Sequence, residues 1–200
     1  LQKLGKQTIK FDNPPTILDC ASIVGPKEAQ GPLAEYFDQT LEDEFWGEKT
    51  WEKAESKIIK ETVNTVISKS GVPSDQIDLM IAGDLLNQCI SSSFGLREAN
   101  IPFLGVFGAC STFVESMCIG SICVESFAKN VLCATSSHFC SAEKQFRFPL
   151  ELGTQRPPTA QWTVTGAGAA ILSNSGEGPR ITNITPGKIV DMGIKDANNM

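Results

Sequence analysis

The sequence has one histidine, one tyrosine, no run of basic residues and no paired C-x-x-C arrangement of cysteines. Each shortage removes a class of function. A single imidazole and scattered thiols do not make a zinc site. A formal net charge of -6, with 17 Lys and Arg against 23 Asp and Glu, argues against a protein that tracks nucleic-acid phosphates, which needs a basic face. No apolar stretch is long enough to span a bilayer without a charge, since Glu115 and Glu125 interrupt the most apolar candidate. The first residues, Leu1 to Lys6, lack the apolar core of a signal peptide. The seven cysteines are odd in number and irregular in spacing, and Cys118, Cys123 and Cys133 sit inside apolar segments. They read as free thiols packed as small hydrophobes in a reducing compartment.

What is present suits a globular α/β domain, or one half of a larger two-lobed protein: 200 residues, 41% hydrophobic and 20% charged. Thr16 to Val24, bounded by Pro14-Pro15 and Gly25-Pro26, is expected to be a buried strand. Gly25 to Glu48, with its prolines and acidic-aromatic run, reads as a long surface excursion. Thr50 is placed to cap an amphipathic outer helix carrying Trp51, Ala54, Ile58, Val63, Val66 and Ile67, with Gly71 and Pro73 as its stop. Ile77 to Ala82 is a second strand. A serine-capped short helix is expected from Ser91 to about Asn100, a third strand over Phe103 to Phe107, a fourth over Asn130 to Thr135 and a fifth over Trp162 to Ser173. Ser136 to Gln161 is too long for an ordinary connection and is expected to cover a site.

The third strand feeds a turn of small residues, Gly108-Ala-Cys110-Ser-Thr112, and then a helix with apolar residues all round, which predicts burial on every side. Its Ser116, Gly120 and Ser121 would admit a close neighbour. A side chain at such an elbow is pushed clear of the sheet beside the unpaired N–H groups of the first helical turn, a setting that favours thiolates and anions. Cys110 is therefore a nucleophile, a pocket wall or a buried small hydrophobe. Strands alternating with helices imply a mostly parallel five-stranded sheet, with ligands bound beyond the strands' carboxyl ends. Three such ends bring together Asp84 to Gln88, Cys110, and Ser136-Ser137-His138.

At Gly83-Asp-Leu-Leu, Leu96-Arg-Glu-Ala-Asn-Ile-Pro102, Gly108-Ala-Cys-Ser-Thr112, Ala134-Thr-Ser-Ser and Thr165-Gly-Ala-Gly-Ala-Ala the chain resembles the thiolase and β-ketoacyl synthase superfamily. The resemblance implies a thiolase-like fold, with residues 1–180 as the N-terminal half of a five-layer scheme and 181–200 as the start of the second half. Gly25-Pro-Lys-Glu, Gly31-Pro-Leu, Ala82-Gly-Asp-Leu-Leu-Asn-Gln88, Ala134-Thr-Ser-Ser-His138 and Ala142-Glu-Lys-Gln-Phe-Arg-Phe-Pro149 are similar, more narrowly, to the stage V sporulation AD family of spore-forming Firmicutes.

That narrower resemblance implies a noncatalytic binder of pyridine-2,6-dicarboxylic (dipicolinic) acid, serving its uptake into the developing spore with membrane-embedded partners of the same operon. A homodimer of the full-length protein and a location peripheral to the inner spore membrane are expected with it. No cofactor is implied beyond calcium travelling with the ligand. A flat ring with two carboxylates needs anion donors and a slot. The expected contacts are Cys110, Ser111 and Thr112 at the helix terminus, His138 as donor or stacking partner, and Lys144 or Arg147 as cation. Asn87, Gln88, Ser136 and Ser137 supply further polar groups. Asp84 would repel an anion unless protonated or bridged by calcium, and otherwise caps the loop after the second strand. Two alternatives stand beside this reading: an acyltransferase with Cys110 as nucleophile, and a scaffold for membrane partners. Catalytic members of the superfamily bring the activating His from their C-terminal half, and His138 matches none of those positions.

Overall fold

The computed structural model describes residues 1–147 and 163–195, except for the side chains of Asn87, Phe146 and Arg147. Its elements in chain order are β1 (Gln2–Leu4), β2 (Thr8–Lys10), β3 (Thr16–Val24), β4 (Gln39–Thr40), α1 (Trp51–Ser70), β5 (Leu79–Asp84), α2 (Ile90–Leu96), β6 (Phe103–Gly105), α3 (Thr112–Ser126), β7 (Asn130–Ser137), α4 (Phe139–Arg147), β8 (Gly166–Ser173) and β9 (Asn183–Ile184). Short 3-10 turns punctuate the loops. The central sheet has the order β4-β3-β8-β7-β5-β6, and β1, β2 and β9 form a separate antiparallel sheet.

The sheet is mostly parallel as expected, but it has six strands rather than five. The extra strand, β4, lies inside the Gly25–Glu48 excursion and pairs parallel with Ile23 and Val24 at the edge. Two residues without periodicity leave no signal of a strand. β8 runs antiparallel to both its neighbours, β3 and β7. The reason is positional: β7 ends at Ser137, α4 stays at that end, and β8 starts beside Ser137 at Gly166, so it can only run back down.

The central strands are apolar in runs, not in alternation, because both faces are covered. Val131, Leu132, Cys133 and Ala134 of β7 are all fully buried, as are Met80, Ile81 and Ala82 of β5. α1 packs on one face through Ala54, Ile58, Ile59, Val63 and Val66. Thr50 caps it by accepting the Lys53 N–H at 3.3 Å, and Gly71 stops it with φ +68°.

α3 packs on the other face, and here burial on every side is corrected. Thr112, Ser116, Gly120, Ser121 and Val124 are buried, whereas Val114 is 63% exposed. The sheet covers one side, and no described element covers the other. The close approach expected of the small residues is present: a methyl group added at Gly120 would lie 2.9 Å from Cys133 Sγ. The third strand is also shorter than expected and lies at the sheet edge, with Phe103 and Leu104 about 40% exposed. Trp162, the expected start of the fifth strand, and most of the Ser136–Gln161 segment lie outside the described residues, but that segment opens with the end of β7 and with α4.

Candidate functional site

Register sets the site. Asp84 pairs with Ser136 across β5 and β7, and Ala82 pairs with Gly105 on β6, so the three expected loops do leave the sheet side by side. The elbow presses on this edge. A methyl group at Gly83 would meet the Val106 carbonyl oxygen at 2.0 Å and Thr112 Cγ2 at 2.7 Å, so only glycine fits.

Cys110 is exposed at the elbow, in a 3-10 turn directly ahead of α3 and after Ala109, whose φ is +48°. It is not a buried hydrophobe. Thr112, by contrast, is buried, and the hydroxyl of the exposed Ser111 turns back to the elbow's own backbone. Ser111 Oγ donates to the Gly108 carbonyl at 2.7 Å; Thr112 Oγ1 donates to the Ala109 carbonyl at 2.8 Å and accepts the Gly108 N–H at 3.1 Å. Their hydroxyl protons bind the elbow to itself. Glu115 Oε2 rests against Gly108, where a methyl group would meet it at 2.5 Å, and it is buried without a hydrogen-bond partner. A carboxylate of the chain itself thus lies at the head of α3, where the sequence suggested an external anion.

His138 is fully buried, and both ring nitrogens are engaged. Nε2 lies 2.7 Å from the Glu44 carbonyl oxygen, which only accepts, so Nε2 carries the proton; Nδ1 accepts the Cys140 N–H at 3.2 Å. This is a neutral histidine that pins the acidic excursion to the end of β7, leaving neither nitrogen for a ligand or a thiol. Glu44 also accepts from Cys140 Sγ at 3.3 Å, and burial together with this carboxylate pushes the Cys140 thiol up to about 11.

Asp84 is buried, and both its oxygens are engaged. It accepts from Leu86 N at 3.0 Å, Ser92 N at 2.7 Å and Ser92 Oγ at 2.6 Å. The capping role holds, but the cap of α2 comes from Asp84 through Ser92, not from Ser91, whose hydroxyl is buried. Among the described residues no group of three or more His, Cys, Asp or Glu could hold a metal ion. Ser136 Oγ donates to Glu55 Oε1 at 3.1 Å, and Ser137 Oγ donates to the Val164 carbonyl. Gln88 is exposed with φ +63°, while the side chains of Asn87 and Arg147 lie outside the described residues. Lys144 is exposed and pairs with Glu52 Oε1 at 3.3 Å.

The residues therefore divide into an elbow group and a cleft group. The cleft, of about 680 Å³, opens between the start of α1, the start of α2 and α4, lined by Trp51, Glu52, Leu86, Ile90, Ser141, Lys144 and Gln145. Another hollow, of about 500 Å³, lies along Leu96 to Phe103, away from this polar chemistry. Beneath the cleft, Glu55 of α1 is fully buried, with Ser136 Oγ on one oxygen and Ser141 Oγ 2.9 Å from the other. Burial, and the charge of Asp84 next, push its carboxyl up to about 7. Glu55, Ser141 and Trp51 are absent from the expected contacts. Only Glu55 left a signal: it is an acid on the apolar stripe of α1, between Ala54 and Ile58.

A mixed sheet flanked by helices, with a thiol at the strand-to-helix elbow, is the thiolase-like fold. The solved structures agree. The priming β-ketosynthase of the R1128 polyketide pathway matches 85% of this chain over 53% of its own, with TM-score 0.55 and 16% identity. Cerulenin-bound OleA of Xanthomonas campestris matches 83% over 56%, with TM-score 0.54 and 15% identity. At these identities the likeness concerns the fold alone. The family model described as Stage V sporulation protein AD (SpoVAD) matches residues 5–200, and the chain belongs to that family. Stage V sporulation protein AD of Bacillus subtilis (strain 168) is 44% identical over 197 residues, covering 98% of this chain; the chain spans 58% of that relative's length.

Proposed function

We propose that this chain is the N-terminal part of a noncatalytic dipicolinate-binding protein, and that it serves dipicolinate uptake into the developing spore with membrane-embedded partners. Membership of a sporulation family supports the setting. The observation that carries the binding reading is the cleft at the carboxyl ends of the strands. Its Trp51, Leu86 and Ile90 offer apolar and aromatic walls to a flat ring, and Lys144 offers a cation to a carboxylate. Its volume falls within the usual range of about 300–1,000 Å³ for small-molecule sites. Calcium would enter as cargo with the dianion. Among the described residues no helix is long and apolar enough to cross a membrane. The full-length protein would be a homodimer.

Within this chain His138 speaks against catalysis, although the superfamily's catalytic members bring the activating His from their C-terminal half. The one imidazole of the sequence is hydrogen-bonded at both nitrogens, so no histidine of this chain can activate Cys110. Titration of the full-length protein with dipicolinate in a calorimeter is expected to give saturable heat, with Cys110→Ala binding within about threefold of wild type. A folded protein that gives no heat would favour the scaffold reading. A thioester on Cys110 after incubation with acyl-CoA, seen by intact mass, would replace the binder with an acyltransferase.

A further inference from the structure

Glu55 is buried without a cation in contact among the described residues, and its hydrogen bonds raise a question of proton counting. Ser141 Oγ lies 2.9 Å from Glu55 Oε2 and 3.1 Å from the His138 carbonyl oxygen. The serine has one proton, and the carbonyl can only accept. Both contacts are full two-centre hydrogen bonds when Glu55 carries a proton and donates it to Ser141 Oγ, while Ser141 donates onward to His138 O. With Glu55 ionised, Ser141 shares its one proton between the two acceptors. Ser136 Oγ only donates to Glu55, so it favours the ionised form. Among the described residues the titratable and charged groups around this cluster are Asp84 on β5, Cys89 ahead of α2, His138 with Glu44 behind it at the end of β7, and Lys144 with its partner Glu52 at the cleft mouth. α2 contributes only the hydroxyls of Ser91 and Ser92. Among the described residues nothing positive faces the Glu55–Asp84 pair from inside.

We infer that Glu55 is a proton-linked positioning residue for the cleft: its neutral form ties α1 to α4 and the end of β7, and its ionised form adds a second buried negative charge under the anion's seat. The inference rests on the dipicolinate reading above. Binding of the dianion is then coupled to the uptake of one proton, from solvent onto Glu55. This link is expected to act near neutrality, because burial and Asp84 bring the carboxyl up to about 7.

The test is calorimetry of the full-length protein with pyridine-2,6-dicarboxylate between about pH 5 and pH 9, in paired buffers of different ionisation enthalpy. The wild type is expected to take up close to one proton at the alkaline end, and its affinity to weaken by up to about tenfold per pH unit above the break. Glu55→Gln is expected to show no uptake and an affinity independent of pH. Ser136→Ala, which removes a donor to the ionised form, is expected to move the break to higher pH, and it carries the test if Glu55→Gln does not fold. Wild-type binding that is strong but independent of pH, or a Glu55→Gln profile identical to wild type, overturns the inference and leaves the ligand reading standing. Absence of binding at every pH overturns the ligand reading and this inference with it.

Discussion

At the scale of single residues, the seven cysteines show how little a residue type says before its surroundings are known. Cys110 and Cys20 are exposed, whereas Cys133 is fully buried, its Sγ donates to the Ser116 carbonyl, and burial pushes its thiol up to about 12. Alkylation follows thiolate fraction and access. Iodoacetamide mapping of the native protein is therefore expected to modify Cys110 and Cys20 first and to leave Cys133 and Cys140 unmodified until the chain unfolds. Early loss of the Cys133 thiol would contradict the packing of α3 on β7. His138 makes the same point from the other side. As the one histidine of the sequence it invites a functional role, yet its two hydrogen bonds make it a clasp between Glu44 and α4.

At the scale of elements, the elbow and the strands beneath it are held by close backbone contact rather than by large side chains. Gly83 faces the Val106 carbonyl at a distance no methyl group can share, while Gly168, on β8, has open space where its Cβ would be. Gly83→Ala is expected to destabilise the protein by about 1–3 kcal/mol, the usual cost of overpacking, or more because the obstruction is backbone. Gly168→Ala is expected to stay within about 1 kcal/mol of wild type. Urea midpoints of the two variants, at unchanged m-value, check the contrast; equal midpoints would mean that the elbow does not press on β5. The Thr50 cap, the Gly71 stop and the stripe of α1 were readable in sequence because helix ends and helical spacing are local. β4 was not readable, because two residues become a strand only by lying beside Ile23 and Val24.

At the scale of the molecule, Glu55 gives stability a pH dependence with a definite sign. Its carboxyl is raised from 4.5 to about 7 in the folded protein, so between those values the native state holds a proton that the unfolded chain has released. That contribution is complete below about 4.5, is lost as pH rises through about 7, and is absent above. Thermal denaturation of wild type is expected to show a melting temperature that falls between about pH 5 and pH 8, relative to Glu55→Gln, where this fall is missing. Parallel pH profiles for the two proteins would mean that Glu55 ionises as freely folded as unfolded.

The sequence by itself determined what local physics determines: the strands that are apolar because both faces are covered, the capped outer helix, the elbow that lifts Cys110 clear of the sheet, and the convergence of three loops at the strand ends. The family motifs rest on the same residues. Tertiary structure alone decided the direction of β8, the open side of α3, and the division of the expected contacts into an elbow and a cleft. It also decided which polar groups face a ligand and which face one another. Ser111, Thr112, Asp84 and His138 turn to partners within the fold: the first three bond within their own turns and loop, three to eight residues away, whereas His138 is engaged only because the distant Glu44 segment meets the end of β7. Glu55 has the reverse history. An acid on an apolar stripe is visible in the chain, but only the approach of Ser136, Ser141 and Asp84 makes it a group that titrates near neutrality.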